Sequence, residues 1–135
     1  MGFVLTPRAS HPFGTANHLI QFEDSFLELV GIENQEQITE HAGKNFSFGA
    51  FNRDYLSHAE GISMIALKSD GWSEDRRRMA AAGLDLADPF GFSRKAKQPN
   101  GEIKTVSFKL TFVGNEDGLR LKFFTCDHQH QRNLF

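Results

Sequence analysis

The sequence has 135 residues and a formal net charge of −2, with 39% hydrophobic and 24% charged residues, which is typical of one small globular domain. This balance gives no electrostatic basis for binding nucleic acid, and no apolar stretch reaches the roughly 20 residues that a membrane-spanning helix needs. Fourteen phenylalanines against one tyrosine and one tryptophan indicate a dry core or a dry, aromatic-lined cavity. The single cysteine, Cys126, excludes an internal disulfide, and without a signal-peptide pattern we expect a cytoplasmic protein.

Two strand-prone segments occupy the first part of the chain. Residues 17–22 and 26–32 (NHLIQF and FLELVGI) are separated by three polar residues, a pattern that predicts a β-hairpin. Residues 33–45 are polar with little periodicity. We expect them to form a connector with at most one short helix.

The second part of the chain predicts the order β-α-β-β-β. Residues 61–69 are β-prone, and a helix is expected from an N-cap at Ser73 to a C-terminal glycine at Gly83. Strands are expected at 90–97, 103–113 and 119–126, with a PNG hairpin turn at 99–101 between the first two. The middle strand alternates strictly: Val106, Phe108, Leu110 and Phe112 share one face, and Thr105, Ser107, Lys109 and Thr111 share the other.

The first region repeats the last three strands of the second. In both, a glycine and then a proline precede an alternating strand, a short acidic loop and a closing apolar strand. We therefore divide the chain into a partial first βαβββ module at 1–32, a connector at 33–60, and a complete second module with a C-terminal tail at 61–135. The first module is predicted to lack its opening strand and helix.

Several short phrases resemble one family in their order and spacing. They are GTANH at 14–18, FLEL at 26–29, AEG at 59–61, MIAL at 64–67, AAGL at 81–84, FSR at 92–94 and FFTCDH at 123–128. Together they resemble the vicinal-oxygen-chelate superfamily, which includes glyoxalase I and the extradiol dioxygenases, and within it the glyoxalase-like members. The resemblance implies an α+β fold of paired βαβββ modules whose sheets surround a small-molecule cavity.

The resemblance also implies a metal in some members, held by two histidines and two glutamates from the first and last strands of each module. Glu28 matches the first-module glutamate. Met64 stands where a histidine would, and a thioether is a poor ligand for a hard divalent ion. The closing strand of the second module offers Lys122, Phe123 or Phe124 and no carboxylate. A divalent metal is therefore disfavoured, Glu28 is the single candidate ligand, and no cofactor is predicted.

Glu28 and His18 are the predicted catalytic residues. Alternation within FLEL puts Glu28 on the side opposite Leu27 and Leu29, which is the cavity side in this fold, and His18 in the neighbouring strand is expected to hydrogen-bond its carboxylate as a base. The alternatives are a solvent-facing Glu28 at a sheet edge and a half-exposed His18 at a strand end. Arg94, Met64 and Phe124 are the predicted substrate-binding residues, with Arg94 facing an anionic group.

These features favour a glyoxalase-like protein that binds a small molecule in a sheet-lined cavity, with lyase, isomerase or dioxygenase chemistry implied on neighbouring oxygens. The alternatives are a module that sequesters a hydrophobic compound without catalysis, and a structural dimer with no ligand. A first module that lacks a strand leaves an unpaired edge, and such edges pair with other chains. We therefore expect a homodimer.

Overall fold

The computed structural model describes residues 2–114 and 121–129. In chain order its elements are β1 (Ala9–Ser10), β2 (Thr15–Gln21), β3 (Phe26–Ile32), a short 3-10 helix (Gln35–Gln37), α1 (Phe48–Leu56), β4 (Met64–Lys68), α2 (Trp72–Ala81), β5 (Phe90–Lys97), β6 (Ile103–Val113) and β7 (Lys122–His128). The strands form two sheets, ordered β1-β2-β3 and β4-β7-β6-β5. The predicted α+β fold is confirmed, and so is the β-α-β-β-β order of the second half.

The first sheet is an antiparallel hairpin extended by the two-residue strand β1. The Phe22 amide donates to the Ser25 carbonyl at 2.8 Å and closes the turn between β2 and β3. In the order of this sheet β3 is an edge strand. Its residues Phe26, Leu27 and Leu29 are each about half exposed, so much of the apolar surface of this strand is open to solvent.

The second sheet carries the buried face that the alternation predicts. Val106, Phe108, Leu110 and Phe112 are all 8% exposed or less, which confirms that face as core. On the other face of β6, Thr111 is also buried, because α2 packs on β6 and β7.

Helix α2 begins earlier than predicted. It starts at Trp72 with Gly71 as N-cap and without a side-chain cap, so the predicted N-cap at Ser73 is wrong. The Trp72 amide instead donates to Asp127 Oδ2 at 2.9 Å, and its indole N–H donates to the Leu110 carbonyl at 3.2 Å. Strand β7 therefore supplies the acceptor that a local serine was expected to supply.

Most of the phenylalanines pack against one another in a core between the two sheets. The Phe112 ring lies 4.2 Å from Phe46, 5.0 Å from Phe124 and 5.3 Å from Phe90, centroid to centroid. Helix α1, whose Ser47 N-cap accepts from the Ala50 amide at 3.0 Å, lies within the segment predicted as a connector. The phenylalanine excess thus builds a dry core that includes this segment.

No helix in the described ranges is long and apolar enough to cross a membrane.

Candidate functional site

One face of the first sheet is directed toward the second sheet. Glu28 pairs with Leu19, and Asn17 pairs with Val30. Directly opposed residues of an antiparallel pair share a face, as do residues two apart along a strand. These four side chains therefore lie on one face, and Val30 packs against the core cluster of the second sheet. This face brings Glu28 and Asn17 to the inner side of the molecule.

The second sheet presents Arg94 and Cys126 from the opposite side. Arg94 pairs with the buried Val106, and Cys126 pairs with the buried Leu110. Both therefore point from the face of the second sheet that carries the core. Burial raises the pKa of Glu28, and the charge of Arg94 opposes that shift. Burial also raises the pKa of Cys126, and the charge of Glu28 adds to that shift. The carboxylate, the guanidinium and the thiol, from β3, β5 and β7, thus share one electrostatic neighbourhood between the sheets.

The Glu28 carboxylate is fixed by an amide and is partly withdrawn from water. Asn17 Nδ2 donates to Glu28 Oε1 at 2.6 Å, and 29% of the glutamate side-chain surface remains exposed. Burial raises the pKa of Glu28, and the hydrogen bond from Asn17 and the charge of Arg94 oppose that shift without cancelling it. Such a carboxylate binds a proton more readily than an exposed glutamate does.

His11 is the imidazole beside this carboxylate. It is 6% exposed, its ring stacks on Phe13 at 5.1 Å, and its Nε2 lies 3.6 Å from Glu28 Oε1. Nε2 also lies 3.3 Å from Asn17 Nδ2. Because an amide nitrogen only donates, we assign the lone pair to Nε2 and the proton to Nδ1, which then donates to Thr15 Oγ1 at 2.8 Å.

Burial, and secondarily the charge of Arg94, lower the pKa of His11 to about 4. The imidazole is therefore neutral at pH 7. It provides an uncharged acceptor next to Glu28 rather than a counter-ion for it.

His18 does not lie beside Glu28. It pairs with Leu29, which puts it on the opposite face of the sheet, and its Nδ1–H donates to the Thr6 carbonyl at 2.8 Å. The expected hydrogen bond between His18 and Glu28 is therefore wrong, because one step along a strand inverts the face of a side chain. His11 was missed because it lies in a loop where no periodicity marks it. Only the pairing of β1 with β2 in the folded chain places His11 beside the start of β2.

Of the predicted substrate-binding residues, Arg94 borders a cleft. It lines a cleft of about 540 Å³ together with Ser10, His11, Pro12, Glu33, Asn34, Gln37 and Ser93. Met64 is partly buried against the core, and Phe124 is buried there, with its ring 5.0 Å from Phe112. The structure thus places Met64 and Phe124 in the packing of the molecule.

The residues around Glu28 are also candidates for a nucleophile and for metal ligands, and Cys126 is the thiol among them. Burial first, then the charges of Glu28 and Asp127, raise the pKa of Cys126 to about 12, so the thiol is protonated at neutral pH and is a poor nucleophile. Within residues 2–114 and 121–129, no three His, Cys, Asp or Glu side chains form a group that could hold a metal ion. The described residues do not fit the four-ligand set that the family resemblance implies.

The fold is that of a glyoxalase-like protein. A family model described as a glyoxalase-like domain matches residues 1–134, and the chain belongs to that family. This confirms the resemblance found in the sequence.

A solved structure gives the fold further support. A hypothetical protein from Staphylococcus aureus superposes with a TM-score of 0.75 at 18% identity, over 98% of this chain and 53% of that one. The chain therefore spans about half the length of that protein. The protein SMU.1112c matches over 95% of this chain and 80% of its own at 17% identity, with a TM-score of 0.33 that carries no argument. No curated protein matches the sequence significantly.

The buried neutral His11 predicts a specific loss of stability in acid. A pKa near 4 in the folded state, against an ordinary value of 6.5, means that the unfolded chain binds the proton more tightly. The stabilising contribution is complete above pH 6.5 and is lost as the pH falls toward 4.

Between pH 7 and pH 4.5 the wild type should lose about 2 to 3 kcal/mol more free energy of unfolding than His11→Gln does. Urea melts at the two pH values measure this difference. Equal losses would show that His11 is not held neutral.

Proposed function

We propose that the protein binds a small molecule between its two sheets and that Glu28 exchanges a proton with it. The observation that carries the proposal is the placement of the Glu28 carboxylate. It is held by Asn17, it is partly withdrawn from water, and it lies on the face that opposes Arg94. A carboxylate with a raised pKa is a better proton acceptor than an ordinary glutamate, and a positioned base of this kind accelerates proton transfer.

The chemistry best matched to these groups is removal of a proton from a carbon next to a carbonyl. Glu28 would take the proton and leave an enolate, whose negative charge the nearby Arg94 would stabilise. Return of the proton to the same or a neighbouring atom completes an isomerisation, and loss of a leaving group from the enolate completes a lyase reaction. Asn17 would fix Oε1, so that the other carboxylate oxygen faces the substrate.

Solvent deuterium incorporation tests this step without knowledge of the natural substrate. Hydroxyacetone is a suitable probe, since it has adjacent oxygens and carbon-bound protons on both sides of its carbonyl. Incubated with the protein in D2O at pH 7, it should exchange those protons faster than in buffer alone, as followed by proton NMR. Exchange at the buffer rate would contradict a role for Glu28 as a base. Saturable binding without exchange would instead support the alternative, a module that binds or sequesters its ligand without catalysis.

The exposed apolar side chains of β3 support a second part of the proposal, that the protein is a symmetric dimer. Leu27 and Leu29 are half exposed on that edge strand, and an unprotected apolar edge favours association. Sedimentation at micromolar concentration should give about twice the mass of one chain. Leu29→Asp should shift it to the monomer, whereas Ile62→Asp, at an exposed position outside the strands, should not. A monomeric wild type would exclude the dimer.

A further inference from the structure

We infer that the ligand of this site is a small molecule with a carboxylate, and that Arg94 holds that carboxylate. This inference rests on the proposed function and specifies its substrate class.

Arg94 differs from the other described arginines in lacking a hydrogen-bonded partner. Within residues 2–114 and 121–129 its guanidinium makes no ion pair or hydrogen bond, and its one specific contact is with the Phe108 ring, 5.8 Å from the centroid. The others are all engaged: Arg8 with Glu33, Arg53 with Glu40 and Asp54, Arg76 with the Ala87 carbonyl, and Arg77 and Arg78 with Glu74.

A half-buried guanidinium without such a partner binds an anion favourably, because its charge is partly removed from water and is not paired within the protein. Its planar fork of N–H donors matches a carboxylate in a two-point contact, and contacts of that kind are shorter and stronger than neutral hydrogen bonds. Phe108 under the cation shields it from water on one side. The neighbouring carboxylate, Glu28, contacts Asn17 instead. An anion supplied by the ligand would complete this environment.

The position of Arg94 fits a small anion beside the proton-transferring group. Arg94 and His11 both line the open cleft, and His11 Nε2 lies 3.6 Å from Glu28 Oε1. A carboxylate bound at Arg94 would therefore lie in the cleft that His11 also lines, and His11 is the neighbour of Glu28. The neutral imidazole neither repels nor binds the ligand charge. The site therefore holds one cation for the carboxylate and, in Glu28, one base for a carbon-bound proton elsewhere in the ligand.

Pyruvate and hydroxyacetone form a matched pair of probes, because both have three carbons and adjacent oxygens and only pyruvate is charged. By isothermal titration, pyruvate should bind the wild type more tightly than hydroxyacetone does. Arg94→Gln should weaken pyruvate binding by about 10- to 100-fold and leave hydroxyacetone binding unchanged. Arg94→Lys keeps the charge but not the planar fork of donors, so its affinity for pyruvate should lie between those of the wild type and Arg94→Gln. Lys95→Gln removes the same charge from the neighbouring exposed residue and should change pyruvate binding less than twofold.

The outcomes separate this inference from the proposed base. Tighter binding of pyruvate that depends on Arg94, without any deuterium exchange, would support the carboxylate site and exclude the role of Glu28. Exchange into hydroxyacetone, together with pyruvate binding that is no tighter or is unchanged in Arg94→Gln, would overturn the carboxylate site alone. Should Arg94→Gln lose its cooperative melt, the Arg94→Lys variant decides, since unaltered pyruvate affinity there would contradict the two-point contact.

Discussion

Replacing Phe112 by alanine is expected to lower the free energy of unfolding by about 3 to 5 kcal/mol, the usual range for a fully buried phenylalanine. Phe112 has no exposed surface, and its ring touches those of Phe46, Phe90 and Phe124, which come from different parts of the chain. Its removal would leave a cavity that three rigid rings cannot readily close. Chemical denaturation followed by far-ultraviolet circular dichroism measures the loss.

Phe123→Ala is the matched control for this substitution. Phe123 lies next to Phe124 on β7 but is 43% exposed, so its removal creates no enclosed cavity. We expect a change of about 1 kcal/mol or less. A similar loss in both variants would mean that the cost reflects strand propensity rather than packing, and a core built from packed phenylalanine rings would be excluded.

Glu28→Gln is expected to slow deuterium incorporation into hydroxyacetone by about 10²- to 10⁴-fold, the usual contribution of a positioned acid or base. Glutamine has the same shape and keeps an oxygen to accept from Asn17, so the fold should be preserved. Because burial raises the pKa of Glu28, the folded state disfavours the charged form. Glutamine removes that cost, and the variant should be no less stable than the wild type at pH 7.

The pH profile separates a base from a merely structural carboxylate. Glu28 accepts a proton only when it is ionised, so the wild-type exchange rate should rise with pH through a midpoint above the ordinary glutamate pKa. Glu36→Gln, an exposed position in the 3-10 helix, is the control and should retain both the rate and the midpoint. A flat profile, or an unchanged rate in Glu28→Gln, would exclude this carboxylate as the base.

The parts of the fold that follow from local pattern could be predicted from the sequence. The hairpin of β2 and β3 follows from a short polar connection between two β-prone segments. The buried face of β6 follows from period-two alternation, which one strand shows by itself. Helix α1 could not be predicted in this way. It contains Gly49, two phenylalanines and an asparagine, which are mediocre helix formers. Its formation depends on the Ser47 cap and on burial of Phe48 in the core, and both contacts become evident only in the folded chain.

The candidate site, like the fold, could be predicted from the sequence only in part. The strand pattern separated Glu28 from its neighbours Leu27 and Leu29, but it was the family resemblance that indicated a cavity on the Glu28 side. The pattern alone would have turned the two leucines toward the core, and both are half exposed. The imidazole could not be chosen correctly, because the choice between His18 and His11 depends on the register of β2 with β3 and on the path of the loop before β2. Asn17, which orients the carboxylate, was passed over for the same reason. It is diagonal to Glu28 across the hairpin, and no spacing along the chain shows that contact.

Glu28, between the two sheets, is expected to be a carboxylate of raised pKa. Carbon NMR of protein labelled at the glutamate side-chain carboxyl measures that pKa, with Glu28→Gln assigning the resonance. Glu28 should titrate above the ordinary glutamate value, and Asn17→Ala should raise the midpoint further, since the Asn17 hydrogen bond lowers it. A midpoint at or below the ordinary value in the wild type would exclude the raised pKa on which the proposed base depends.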